Sequence, residues 1–233
     1  MISFYTRECG KLELLARGIK KIESKNSPHV EPFSYADIEF AAGKELYHLT
    51  KVQPIQSFKN IRSDLHKSLV AEYASKLLDV IVEPRAKDER IFDLFLGWLQ
   101  FLENVKLPDS GILLLAGFVF KLFSYLGFQP VLDKCVVGDE EIVDAQEAQG
   151  FYFAGGGVVC PAHKTEKQRV GEFVIDISFE QVSVFRLLLV ANWQAIAEIS
   201  MESKEASRLW NIVYQFAQFH SEKKLPVWLS EWA

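Results

Sequence analysis

"FSYADIEFAAGKELYHLTKVQ", residues 33–53, decides the fold. Asp37 and Glu39 alternate with Ile38 and Phe40, and beyond Gly43-Lys44 the residues Tyr47 and Leu49 alternate with His48 and Thr50. Two β-rich runs of period two, broken by a glycine-containing pair, spell a β-hairpin. Upstream, ISFYT (2–6) and LELLARGI (12–19) are further β-rich runs, set apart by Glu8-Cys9-Gly10 and by Ser24-Lys25-Asn26-Ser27-Pro28. Several short strands in about sixty residues predict a small barrel or sandwich.

Past Arg62 the period becomes helical. Leu65, Leu69, Tyr73, Leu77 and Val80 share one face, and Ile91, Leu94, Phe95, Trp98 and Leu102 repeat the pattern. Residues 112–126 are apolar all round, which marks a helix buried within a bundle. Ser178-Phe179-Glu180-Gln181 fits a capping box ahead of VSVFRLLLV, and Ala206, Leu209, Trp210, Val213, Phe216, Ala217 and His220 trace a last amphipathic helix. The fold class is therefore α+β.

Composition bounds the function. Of 233 residues, 49% are hydrophobic and 24% charged, the balance of a folded globular chain. Three cysteines, at 9, 135 and 160, do not make a disulfide framework, so a reducing, cytoplasmic setting is expected. ILLLAGFVF (112–120) is too short to span a bilayer, and MISFYTRECGKLELL does not read as a signal peptide. Net charge is −5, unevenly spread: residues 1–67 hold 11 basic and 8 acidic side chains (+3), the rest 15 and 23 (−8). The head is mildly basic and the body acidic.

The densest cationic run is GKLELLARGIKKIESK (10–25), with Lys11, Arg17, Lys20, Lys21 and Lys25. On a strand and its loop these side chains can form a basic strip that holds phosphates. A solvated edge strand protected by lysines is the other reading. Tyr5, Phe33 and Tyr35 are candidates for stacking on bases and equally for the core. Lys121 is a lone cation on an apolar helix, which suits either a stem lying over the core or a cation beside a binding groove.

The segment 135–163 carries the other motif. Cys160-Pro161-Ala162-His163 is a C-x-x-H ligand pair, whereas Cys135-Val136-Val137-Gly138 has glycine where a second ligand belongs. Cys135, Cys160 and His163 supply three donors for zinc, with water, Asp139 or Glu140 as the fourth, and the expectation is a degenerate site of low occupancy. Gly155-Gly156-Gly157 lacks the G-K-[ST] of a phosphate loop and reads as a turn. No H-x-E precedes a P-C-x-x-C, and no nucleophile stands with a His and an acid, so no catalysis is expected.

In FYTRECGKLELLARGIKKIESK (4–25), HVEPFSYADIEF (29–40), KNIRSDL (59–65), LFSYLGFQPVLDKC (122–135) and FYFAGGGVVCPAH (151–163), taken in that order, the chain resembles the bacterial recombination mediator family RecO. The resemblance implies an N-terminal OB-fold over 1–61, a helical domain over 62–134 and 164–233, and a zinc-knuckle insertion over 135–163. It implies a non-enzymatic, nucleoid-associated DNA repair protein. Such a protein binds and anneals single- and double-stranded DNA and loads RecA, with RecR, onto DNA coated by single-strand binding protein. Lys121 would meet the acidic, phenylalanine-ending tail of that protein. The alternative is an adaptor whose OB domain binds a protein and not DNA. Two departures stand out: family members usually carry another strand ahead of the segment that here begins at Met1, so a barrel edge is expected to be open, and Gly138 replaces a ligand.

Overall fold

The computed structural model describes residues 1–16, 31–44, 46–107, 111–142 and 150–227. The chain forms two compact units, Met1–Leu107 and Pro108–Ala233.

The first unit opens with β1 (Ile2–Thr6) and β2 (Gly10–Leu15), an antiparallel hairpin in the register Ile2↔Leu14 to Thr6↔Gly10. The Thr6 hydroxyl holds its turn, donating to the Gly10 carbonyl (3.0 Å) and accepting from Cys9 N–H (3.1 Å). Gly10 has φ +66°, and a Cβ there would overlap the Ala86 carbonyl, so both backbone conformation and space demand glycine. Leu12 and Leu14 point inward on alternate positions of β2.

The 33–53 stretch forms the expected hairpin of β3 (Ser34–Ala42) and β4 (Tyr47–Ser57). Register shifts fall at Tyr35/Ala36 and Glu39/Phe40. Pro54 sits opposite Ala36 at the first of these, where a missing N–H costs the ladder little. β4 pairs in parallel with β2 only at Leu14↔Tyr47 and Leu15↔His48, giving the order β1-β2-β4-β3. The sheet is open: β1 and β3 are its edges, and no pairing joins them among the described residues. A groove of about 1050 Å³ lies along these edges, with Tyr5, Tyr35 and the helical residues Phe92 and Phe95 in its wall.

Three helices complete the unit: α1 (Lys59–Ser63), α2 (Leu65–Ile81) and α3 (Glu89–Asn104). Asp64 caps α2 through Lys67 N–H (3.1 Å), and Glu103 of α3 accepts from Asn60 and Ile61 N–H at the start of α1 (2.9 Å each). The buried face of α2 is Val70, Tyr73, Ala74, Leu77 and Leu78. Leu65, expected inside, is exposed, because the capped first turn faces solvent while Lys67 buries its stem and donates to the Glu103 carbonyl (3.0 Å).

The second unit is built around α4 (Ile112–Tyr125), of whose fourteen residues eleven are buried, as its uniform hydrophobicity requires. A three-stranded sheet, order β6-β5-β7, follows: β5 (Gly150–Tyr152), β6 (Gly157–Val159) and β7 (Val174–Asp176). Between β6 and β7 runs α5 (Pro161–Arg169). Then come α6 (Phe179–Val190), α7 (Trp193–Ala197) and α8 (Ser203–Ser221). The Ser178–Gln181 capping box at α6 is present in both directions. Phe120, Phe151, Phe185 and Phe216 meet edge to face at 5.1–6.3 Å. Phe151 lies in that cluster, and β5 takes a further partner from residues 174–176. Among the described residues no helix is long and apolar enough to cross a membrane.

Candidate functional site

The Cys135 loop is a tight turn. Cys135 N–H donates to the Glu140 carbonyl (2.8 Å), Asp139 N–H to the Cys135 carbonyl (2.9 Å), and Asp139 adopts φ +65°. Val136 N–H donates to the Val158 carbonyl of β6 (3.0 Å), fixing the turn beside the strand that delivers Cys160. Cys160 is the N-cap residue of α5 and Pro161 its first helical residue, which places His163 one turn on, beside the Cys160 thiol. Arg186 of α6 ties down both ends of the loop, donating to the carbonyls of Leu132 (2.6 and 3.1 Å) and Ile142 (3.0 Å).

Four donors converge. Nδ1 of His163 lies 3.4 Å from Cys135 Sγ, 3.2 Å from Cys160 Sγ and 3.9 Å from Glu140 Oε2, and all four ligand atoms lie within 4.8 Å of one another. Tetrahedral zinc, with bonds of about 2.0–2.3 Å, sets its ligands roughly 3.3–3.8 Å apart. The donor set suits that ion, and the spacings about His163 Nδ1 lie close to that range. Burial pushes the Cys135 thiol up, but the N–H groups of Cys160, Gly138 and Val137 aim at the sulfur, and together with His163 they bring it below the usual thiol range. A sulfur held this way is prepared to be a thiolate ligand. Of the two acidic candidates for fourth ligand, Glu140 joins the cluster, whereas Asp139 turns to Lys134.

The cationic strip is only partly described. Arg17, Lys20, Lys21 and Lys25 lie outside the described residues. Lys11 is turned inward: its side chain is 15% exposed, donates to the Asp79 carbonyl at 2.5 Å and pairs with the Asp79 carboxylate at 3.3 Å. Arg7 pairs with Asp93 and lies over the Phe92 ring. Tyr5 and Tyr35 pack on Phe92, with ring centroids 6.3 and 6.1 Å away. Burial, helped by the charge of Asp88, pushes the Tyr5 hydroxyl up to about 12. Phe33 is half-buried, with φ 57° and a carbonyl that accepts from Phe58 N–H (3.3 Å) and Arg62 (3.2 Å).

Lys121 bends its ammonium onto the Leu189 carbonyl near the end of α6 (2.7 Å) and over the Trp193 ring (5.4 Å), and burial holds it below the usual lysine range. Sequence reasoning misses Arg186, although it carries the same signal as Lys121, a single cation in an apolar helical run. His220 packs among Phe128, Phe216 and Phe219, with its ring bonded to the Phe153 carbonyl and Nε2 buried without a hydrogen bond.

Both parts of the chain match recombination proteins: the model "Recombination protein O N terminal" matches residues 1–58, and "Recombination protein O C terminal" matches residues 62–229. This defines a two-part recombination protein. The chain belongs to the recombination protein O (RecO) family. It is similar to DNA repair protein RecO of Caldanaerobacter subterraneus subsp. tengcongensis (26% identical over 223 residues, 94% of this chain and 85% of that protein). It is likewise similar to DNA repair protein RecO of Symbiobacterium thermophilum (27% over 226 residues, 97% and 87%) and of Dehalococcoides mccartyi (28% over 232 residues, 98% and 87%). The two family models meet between residues 58 and 62, whereas the compact units meet at 107/108.

Proposed function

We propose that this chain is a DNA-binding recombination mediator without catalytic turnover, whose N-terminal sheet is an OB-type domain and whose second unit holds a structural zinc. The observation that carries the reading is the match of both parts of the chain to recombination protein O, joined to a run of cations, Arg17 to Lys25, that follows directly on β2. OB domains bind single strands through a cationic groove and stacking aromatics, contacts that position the backbone without reading sequence. By the same family likeness it would bind and anneal single- and double-stranded DNA, work with RecR, and help load RecA. It would also capture the acidic tail of single-strand binding protein at Lys121, beside which Val190 is exposed. Zinc would be held by Cys135, Cys160 and His163, and would supply cross-linking of the loop to α5.

The test is oligonucleotide binding over a range of salt. Replacing Arg17, Lys20 and Lys21 together by alanine should weaken binding and make the log–log salt slope shallower by about 2. Unchanged slope and affinity would refute the assignment. The protein-adaptor reading draws on one specific observation: Arg7, Lys11, Lys51 and Arg62 of the first unit are each engaged by an acidic side chain. Salt-independent or absent oligonucleotide binding by the unaltered chain would favour it.

A further inference from the structure

Counted from its two spacing motifs, the cluster is one ligand short of a tetrahedron. Gly138 stands where the second ligand of the first pair belongs, and the structure shows what fills the space. A Cβ built on Gly138 would overlap both carboxylate oxygens of Glu140 and the Cε1 of His163. The carboxylate thus occupies the volume into which any side chain at 138 would project. It reaches there because the turn brings residue 140 back over residue 135, with Asp139 in the left-handed conformation between them.

We infer that Glu140 is the fourth ligand of the zinc and replaces, from two residues further along the chain, the ligand that Gly138 cannot supply. The inference rests on the proposed binding of zinc. Exchanging a thiolate for a carboxylate conserves charge: two thiolates, one carboxylate and a neutral imidazole leave the site at −1 with zinc, as three thiolates and an imidazole would. It changes softness, since a carboxylate oxygen favours zinc over harder competitors such as manganese or magnesium less than sulfur does. It also changes access, because the Glu140 side chain is 61% exposed while the Cys135 side of the cluster is buried. Chelators and solvent meet the ion from the Glu140 side. Gly138 and Glu140 are therefore a coupled pair: a ligand at 138 is compatible with the site only when residue 140 withdraws.

The experiment is zinc competition against a chromophoric chelator with the full chain, alongside cobalt substitution. Unaltered protein should bind one zinc, and Cys160→Ser should abolish binding. Glu140→Gln should weaken it by roughly tenfold or more and speed release to the chelator. Gly138→Cys alone should give no gain, because Glu140 and the His163 ring stand in the way. Gly138→Cys combined with Glu140→Ala, which clears the carboxylate from the space at 138 and leaves only the His163 ring to shift, should bind more tightly than Glu140→Ala alone, a non-additivity that reports the coupling. The same double variant should raise the thiolate-to-cobalt charge-transfer band by half, from two thiolates to three. If Cys160→Ser loses the metal while Glu140→Gln binds as tightly as the unaltered chain, the ligand assignment is wrong and zinc binding stands. If Glu140→Gln is weakened but adding Gly138→Cys to Glu140→Ala neither restores affinity nor raises the cobalt band, the equivalence of the two positions is wrong. Protein that takes up no zinc removes the metal reading itself.

Discussion

The ammonium of Lys121 on α4 donates to the carbonyl of Leu189 on α6 at 2.7 Å, so the one cation of an otherwise apolar helix serves as a terminal clasp for its neighbour. A positive charge at the carbonyl end of a helix is favourable, and a negative one there is not. Lys121→Met keeps the stem and loses the bond, at a cost of about 1 kcal/mol for a half-buried group. Lys121→Glu should cost more, by setting a carboxylate against the Leu189 carbonyl. Urea denaturation checks both, and equal midpoints for Lys121→Glu and the unaltered chain would contradict the clasp. Capture of an acidic tail peptide is for this reason better measured with Lys121→Met, where fold and charge are less entangled.

Arg186 holds the Leu132 and Ile142 carbonyls with one planar fork. Lysine cannot reproduce that geometry. Arg186→Lys should loosen the ligand loop, seen as faster amide exchange in residues 133–142, and lower zinc affinity several-fold while the Cys135, Cys160 and His163 donors remain. Unaltered exchange in that loop would show that the fork is dispensable.

His220 gives the second unit an acid-sensitive contact. Burial lowers its affinity for protons below the usual histidine value of 6.5, against a smaller opposing pull from the Phe153 carbonyl. The unfolded chain then takes up its proton first as pH falls, so this contribution to stability is intact above about pH 6.5 and declines below it, toward the folded-state value. His220→Gln, which does not titrate, should flatten the fall in melting temperature between pH 7 and 5. A slope equal to that of the unaltered protein would assign the pH dependence elsewhere.

At Gly10, alanine meets two obstacles, the positive φ and the Ala86 carbonyl. Gly10→Ala should destabilise by about 2–4 kcal/mol, read as a drop in the urea midpoint of the first unit. A change within experimental error would mean that the β1–β2 turn and the 83–86 loop can separate freely.

How far the sequence disclosed this molecule depended on whether the signal was local. The 33–53 hairpin, the Ser178–Gln181 capping box and the buried helix at 112–126 are written in periodicity and in side chains three or four apart, and they stand where expected. Leu65 departs from its expected place because heptad-like spacing ignores that a capped first turn faces outward. The cluster was legible as Cys135, Cys160 and His163, while the choice of Glu140 over Asp139 depends on a left-handed residue that spacing does not reveal. The clasp and the fork, Lys121 and Arg186, each join residues more than forty positions apart, beyond the reach of any local pattern.

No side chain of α5 is buried. A nine-residue helix of that kind has too few turns to persist alone in water, and its fastenings lie largely along one side: Cys160 and His163 at the start, Lys164 on Asp176 at 2.5 Å, and Lys167 over the Tyr152 ring at 5.5 Å. Whatever fixes the first turn therefore decides whether the rest is helical at all. Lys164, Lys167 and Arg169 are thereby carried on a short surface spur whose first turn is anchored at two sulfurs and one imidazole.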